Sequence, residues 1–265
     1  MDLGFAGAAA VVVGGGRGMG LATAQCLADD GARVAVVGRS KDVLDAAAAD
    51  LASRGSPDAV AIVADTRDAA QIEQVFTEVG DRWRGELNVL VNTVGPGAAG
   101  TFEELTDAQW QEAFDAGLMG MVRCIRAALP LLRKADWARI VNFSAHSTQR
   151  QSTRLPAYTA AKAAVNSVSK NLSLLLAKDE ILVNVVSPGS ISSEALLGWA
   201  QSVGVDGTDP YRLMAAIDEH FGHPAHLPRA GLPGEIGPVA AFLASRRNSY
   251  MTGANINVDG GSDFT

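Results

Sequence analysis

Ala8-Ala9-Ala10-Val11-Val12-Val13 runs directly into Gly14-Gly15-Gly16-Arg17-Gly18-Met19-Gly20, and a segment with a helical apolar period follows at once. An apolar, β-branched run, a glycine cluster and an amphipathic stretch read in that order as strand, tight turn and helix. In such a turn the missing side chains let the backbone approach a pyrophosphate. The helix opening there aims unpaired amides and the positive end of its dipole at that charge. Gly14, Gly16, Arg17, Gly18, Met19 and Gly20 are therefore candidate cofactor contacts. A merely flexible turn has the same composition, so it is the position at the first strand-to-helix junction that carries the weight.

The same rhythm continues outward along the chain. Short apolar runs recur at Ala8 to Val13, Val34 to Val37, Val60 to Val63, Leu87 to Val91, Arg139 to Phe143, Ile181 to Val186 and Asn255 to Val258. Apart from the first, none alternates cleanly between apolar and polar, which is the pattern of strands buried on both faces of a parallel sheet. Helix-period segments lie between them near 18–29, 41–53, 68–84, 107–133, 157–178 and 235–245, several opened by cap residues such as Ser40, Asp68 and Thr106. Repeated βα units predict an α/β fold, a single doubly wound Rossmann-type domain with a seven-stranded parallel sheet flanked by helices. No linker, charge run or 20 to 50 residue repeat marks a second domain, so residues 1–265 are expected to form one unit. The exception to the rhythm is 192–229, a long excursion rich in Gly, Pro and His that is expected to be a substrate loop region, since excursions of that size usually carry function or mobility.

Composition narrows the function classes. With 48% hydrophobic and 19% charged residues the chain can bury a substantial core. Its 29 Asp and Glu against 22 Lys and Arg, a net charge of -7, offer no bulk attraction to nucleic acid or to anionic membranes. Cys26 and Cys124 stand far apart with no paired spacing, which excludes a disulfide framework and a zinc ribbon and fits a reducing compartment. Asp2 stands where a signal peptide carries basic residues, and no apolar run approaches 18 residues, so a cytoplasmic protein with no membrane partner is expected.

The glycine spacing Gly14-x3-Gly18-x-Gly20 differs from the GxGxxG of ordinary Rossmann dehydrogenases and resembles the short-chain dehydrogenase/reductase family, in particular its 3-oxoacyl carrier-protein reductase-like members. Further matches follow in the family's order along nearly the whole chain. Asp65-Thr66 is similar to its adenine-contacting element, and Asn92-Thr93-Val94-Gly95 resembles a variant of its Asn-Asn-Ala-Gly turn. Tyr158-x3-Lys162 matches its catalytic pair. Ser187-Pro188-Gly189 with Ile191 and Ser193 resembles its nicotinamide-side turn, and Val258-Asp259-Gly260-Gly261 its last strand. The resemblance implies that Tyr158 is the general acid/base, that Lys162 also holds the nicotinamide ribose, and that the protein is a homotetramer paired through its long fourth and fifth helices and its last strands. Independently, Tyr158 and Lys162 at i and i+4 share a helix face, and an ammonium beside a phenol is expected to lower the phenol's pKa from about 10.

Cofactor choice is read at the end of the second strand, where NAD-dependent enzymes place a carboxylate for the ribose hydroxyls. Here that position is Gly38, Arg39 follows it, and Arg17 sits in the glycine turn, so two guanidinium groups are expected to converge on a 2′-phosphate and NADP(H) is favoured.

The resemblance breaks at two positions. The family's Ser thirteen residues before the Tyr is Ala145, with Ser144 one place early and Ser147 reachable only through a bulge. Its Asn, seven residues after a Trp, falls on Gly117 when counted from Trp110. Ser144 and His146 are then the candidate substrate contacts. Losing one donor to a developing oxyanion commonly costs about 10² to 10³ in rate. His220-x2-His223-x2-His226 invites a metal site, but Pro224 breaks the helix that would align the ligands and no Asp or Cys completes the set, so no metal is expected. Trp199 and Phe221 face either a substrate or the core.

The expected function is an NADP(H)-dependent oxidoreductase passing hydride between nicotinamide and a small-molecule carbonyl or alcohol of 3-ketoacyl or hydroxysteroid type. Two alternatives stand beside it: reduction of an enoyl or dienoyl thioester, and a catalytically silent NADP-binding protein.

Overall fold

Valine-rich segments with no room for water on either side build the centre of the molecule. In the computed structural model, which describes residues 2–97, 99–222 and 224–262, β1 (Ala9–Val13), β4 (Val89–Asn92), β5 (Ala138–Phe143) and β6 (Ile181–Pro188) are buried at every position. With β2 (Arg33–Gly38), β3 (Ala59–Val63) and β7 (Asn255–Val258) they form one parallel sheet in the order β3-β2-β1-β4-β5-β6-β7. The order reverses between β1 and β4, whose ends at Val13 and Asn92 lie side by side. A crevice opens there, beyond the carboxyl ends of the strands, where such sheets take their ligands.

Helices cover both faces. On one side α1 (Gly18–Asp29), α2 (Lys41–Ser53) and α9 (Pro233–Ala244) pack through residues such as Leu27, Leu44 and Ile236 against Val12, Val34 and Val91. On the other, α3 (Ala69–Arg82), α5 (Gly120–Leu132) and α6 (Pro156–Leu175) bring Val75, Ile125 and Val165 onto Val11, Leu90 and Ile140. Cap chemistry sets the starts: the Asp68 side chain accepts from the amides of Ala70 and Gln71, and Thr106 forms a capping box with Gln109 at the head of α4 (Asp107–Phe114). Ser40 occupies the N-cap of α2 without a side-chain hydrogen bond.

Two expectations change. The segment 107–133 is not one regular helix: a π-helical turn, Asp115–Met119, separates α4 from α5, a device frequent at functional sites. The excursion is helical rather than a loop, with α7 (Glu194–Ser202) and α8 (Pro210–Phe221) around their own small apolar cluster of Ala200, Leu213, Met214 and Ile217, joined by Trp199 and Phe221. Ser193 caps α7, and Asp209 followed by Pro210 caps α8. Among the described residues, no helix is long and apolar enough to cross a membrane.

Candidate functional site

The glycine turn is shaped by contacts that no side chain permits. Gly14 has φ +83° and donates its amide to Val37 O at 2.8 Å, and a Cβ on it would collide with the Thr93 hydroxyl. A Cβ on Gly20 would collide with the Gly14 carbonyl, so the turn folds flat against the first turn of α1. Arg17 is the N-cap residue of α1, which leaves the helix's first amides pointing out of the turn.

Beside the turn lies a cleft of about 540 Å³, walled by Gly14, Gly16 and Arg17, by Gly38, Arg39 and Ser40 after β2, by Asp65, Thr66 and Arg67 after β3, and by Val94, Gly95 and Gly97 after β4. Of the predicted contacts, Gly14, Gly16, Arg17, Arg39, Asp65, Thr66 and Gly95 therefore meet on one surface, and Gly18, Met19 and Gly20 do not reach it. Met19 instead packs against the core. The cleft carries three guanidinium groups. Arg17 is paired with the exposed carboxylate of Glu194 at the start of α7, and Arg67 with Asp65. Arg39 has neither an ion pair nor a hydrogen bond among the described residues. The Arg67 guanidinium holds the Asp65 carboxyl down at about 2. The expected convergence of Arg17 and Arg39 is thus altered, since Arg17 already has a carboxylate partner.

Gly95 links this cleft to the Tyr-Lys pair: a Cβ at Gly95 would stand 3.1 Å from Cε and Nζ of Lys162. Lys162 is 3% exposed, and its ammonium donates to Phe143 O at 2.8 Å and to Val94 O at 3.4 Å. Burial pulls the Lys162 pKa down to about 8. Tyr158, one turn earlier on α6 and partly buried, forms no hydrogen bond among the described residues, and burial pushes its phenol up to about 12. The expected lowering of the phenol by Lys162 is therefore corrected for the protein alone. The ammonium is spent on backbone carbonyls rather than on the phenol, and desolvation of the phenolate dominates.

The positions where the resemblance broke have definite geometry. Ser144 is 4% exposed and its hydroxyl donates to the carbonyl of Lys162 at 3.0 Å, so it braces α6 and does not face the cleft, contrary to its candidacy as a substrate contact. Ser147 is likewise engaged, within 3.3 Å of the Thr159 hydroxyl. His146 Nδ1 donates to Pro188 O at 3.1 Å, which ties the loop after β5 to the end of β6. Gly117 lies at the centre of the π-helical turn, where a Cβ would stand 2.8 Å from Cδ of buried Pro96 and 3.2 Å from Cβ of Ala161. The place of a side chain at 117 is filled by a proline ring.

Five other predicted contacts have structural work. The Asn92 side chain is buried and donates to Asn142, which donates in turn to Ser169, a polar chain lying under the site rather than in it. The Ser193 hydroxyl caps α7 by accepting from Leu196 N. Ile191 is buried and bridges to Gly231 at the root of the excursion, and Gly189 lies against Asp259. Pro188 offers its carbonyl to His146. In the histidine cluster, α8 ends at Phe221 with Gly222 in the left-handed region ahead of Pro224, and the His220 ring turns back onto Ala216 O at 2.9 Å and the edge of Trp199. His223 lies outside the described residues.

Sequence reasoning missed Arg67, Glu112, Glu194 and Pro96, all at or beside the cleft. Only the Ser193-Glu194 pair carried a readable signal, that of a helix start.

A family model described as "Enoyl-(Acyl carrier protein) reductase" matches residues 13–263. The chain is 34% identical to a galactitol 2-dehydrogenase of Rhizobium johnstonii, over 96% of this chain and 95% of that one. It is 32% identical to a meso-2,3-butanediol dehydrogenase of Serratia marcescens, over 95% and 93%. Its structure resembles that of L-sorbose reductase from Gluconobacter frateurii complexed with NADPH and L-sorbose, with a TM-score of 0.92, 30% identity and all of both chains covered.

Proposed function

Because the chain belongs to the short-chain dehydrogenase/reductase family, we propose that it is an NADP(H)-dependent oxidoreductase that interconverts a carbonyl and an alcohol with Tyr158 as acid/base. The observation that carries this is the close approach of Gly95, in the cleft wall, to Lys162, which brings the Tyr158–Lys162 helix face beside the cleft that we read as the dinucleotide site.

The residues present suit that cofactor. The flat glycine turn and the head of α1 offer backbone amides to a pyrophosphate, and Arg39, without a carboxylate ion pair among the described residues, offers a charge-assisted contact to a 2′-phosphate. When bound there, NADPH would supply the hydride that the carbonyl carbon gains, being oxidised to NADP⁺. Tyr158 donates the phenolic proton to the carbonyl oxygen, giving the alcohol, and regains a proton from solvent. A phenol held near 12 in the protein alone is fully protonated at neutral pH, so it carries the proton to be given but holds it tightly, and the Lys162 ammonium, bonded to Phe143 O and Val94 O, keeps a cation on the same helix face below pH 8. Ser144 holds α6 in place, and His146 lines the substrate side. With Ala145 and Gly117 in place of two polar side chains, the substrate oxygen has fewer donors, and a modest turnover is expected.

Two of the relatives above are named for polyol or diol substrates and the third for a ketose, and a small vicinal hydroxy ketone is the substrate class we favour over a 3-ketoacyl or hydroxysteroid substrate. The enoyl thioester reading stays second, on the family model's description and on Ala145. We assign the whole chain to one NADP-binding domain in a cytoplasmic homotetramer, consistent with β7 standing at a sheet edge. NADPH consumption with a panel of ketoses, acyclic hydroxy ketones, 3-ketoacyl thioesters and enoyl thioesters tests the function. Turnover on hydroxy ketones supports it, turnover on enoyl thioesters alone replaces it with the second reading, and none on any carbonyl overturns it.

A further inference from the structure

Arg67 is the cleft arginine that no motif predicts, and its guanidinium is held rather than loose. Nε lies 3.1 Å from both oxygens of Asp65, Nη2 donates to Oδ2 at 2.7 Å, and the Arg67 amide donates to Oδ1 at 2.9 Å. A guanidinium has two edges that each match an oxyanion. Asp65 takes the Nε and Nη2 edge. Nη1 makes no hydrogen bond among the described residues; the Glu112 carboxylate stands 3.8 Å from it, and the Asp115 charge also bears on the guanidinium. Arg39 stands alongside: Gly38 pairs with Val63 in the β2–β3 register, so Arg39 and Asp65 leave neighbouring strands together, and the Arg39 charge bears on Asp65. Two cations thus flank one carboxylate on the rim of the cleft.

We propose that Arg67 is a cofactor-binding residue whose Nη1 edge closes with Arg39 on the 2′-phosphate, and that Asp65 is the positioning residue presenting Arg67 rather than a contact to adenine. The proposal rests on the NADP(H) reading and deepens it. Its chemistry is that of a dianion entering between two guanidinium groups, one of them oriented in advance, so little side-chain entropy is lost on binding. Glu112 opposes the dianion.

Calorimetry of NADPH and NADH binding to the intact protein tests it without recourse to activity. Arg67→Ala is expected to weaken NADPH at least tenfold and leave NADH within twofold, and the unchanged NADH affinity certifies the fold. Arg67→Lys restores little, because an ammonium has no second edge. Asp65→Asn is expected to weaken NADPH several-fold with NADH unchanged, whereas a direct adenine contact would cost both nucleotides equally. Glu112→Gln is expected to tighten NADPH about twofold or more. If wild type prefers NADPH and Arg67→Ala keeps that preference, the clamp is wrong and the cofactor assignment stands. If wild type shows no preference for NADPH, the cofactor assignment falls and the clamp with it.

Discussion

The cleft at the ends of β1, β2 and β3 and the excursion over 192–229 meet at the Arg17–Glu194 pair, yet they are held by different means. The cleft walls that follow β1, β2, β3 and β4 are continuous with strands whose neighbours are fixed by parallel register, with Glu112, Ala116 and Glu194 added from helices, and behind them lie the two apolar layers of the sheet. The excursion has a separate small core, and polar ties fasten it: Ile191 with Gly231, Leu227 N on Gly260 O, and Arg150, whose guanidinium donates to the carbonyls of Gly222, Pro224 and Ser262. On the function proposed above, the sheet-held walls serve the cofactor and the excursion covers the substrate, so one region can stay constant while the other adapts. Local opening free energies are expected to differ accordingly.

Paired core truncations break that comparison most strongly. Leu90 and Leu213 are both fully buried, the first in the sheet core and the second in the excursion. Leu90→Ala should lower global stability by about 2 to 5 kcal/mol, seen as a shift of the whole urea transition. Leu213→Ala should speed amide exchange in α7 and α8 while the sheet amides of β1 and β4 keep their protection. Equal acceleration in both regions would show that the excursion is not a separate unit.

The next effect is smaller and concerns the floor. Gly117→Asn drives a side chain into Pro96 and should cost about 1 to 3 kcal/mol, the usual price of overpacking. Pro96→Ala in the same chain should recover part of that loss, and a double variant no more stable than Gly117→Asn would show that the proline ring is not the obstacle.

How much of this was legible follows from the same contrast. The strands and the helices 18–29 and 41–53 were readable because both-face burial and helical period leave a direct imprint on composition. The excursion reads as a loop in sequence because glycine, proline and histidine dominate it, although Asp209-Pro210 is a helix start in its own right. Tyr158 and Lys162 were legible as a pair, but the direction of the phenol's shift was not. It depends on where the ammonium's hydrogens go, and Phe143 and Val94 are 19 and 68 residues away in sequence. The inward turn of Ser144 follows from strand alternation. Arg67 was invisible, since an i, i+2 pairing across a turn has no period and its value comes only from the neighbouring strand end.

Titration gives the mildest test of the floor, needing no loss of fold. The Lys162 pKa lies below its unfolded value, so its neutral form is the one folding favours. Stability from this group is fully present above the unfolded pKa near 10.5 and is lost as pH falls to about 8. Tyr158 is raised instead, so its contribution is full below pH 10 and is lost as pH climbs to about 12. Burial also holds the Cys124 thiol up at about 12, which pulls stability down as pH climbs past 9 in any variant, so the Lys162 contribution is read as a difference: between pH 8 and 10 the urea midpoint of wild type without nucleotide should rise relative to that of Lys162→Met. A midpoint that falls over this interval in wild type and not in Lys162→Met would reverse the assigned shift.

The central claim is that Tyr158 hands over the proton in an NADPH-dependent reduction, and comparing wild type with Tyr158→Phe tests it most directly. With a hydroxy ketone that wild type reduces, we predict that the variant loses turnover by about 10² to 10⁴, the range for a general acid, while its calorimetric NADPH affinity stays within twofold. Equal NADPH consumption by the two proteins would contradict the account, because the proton would then come from another group.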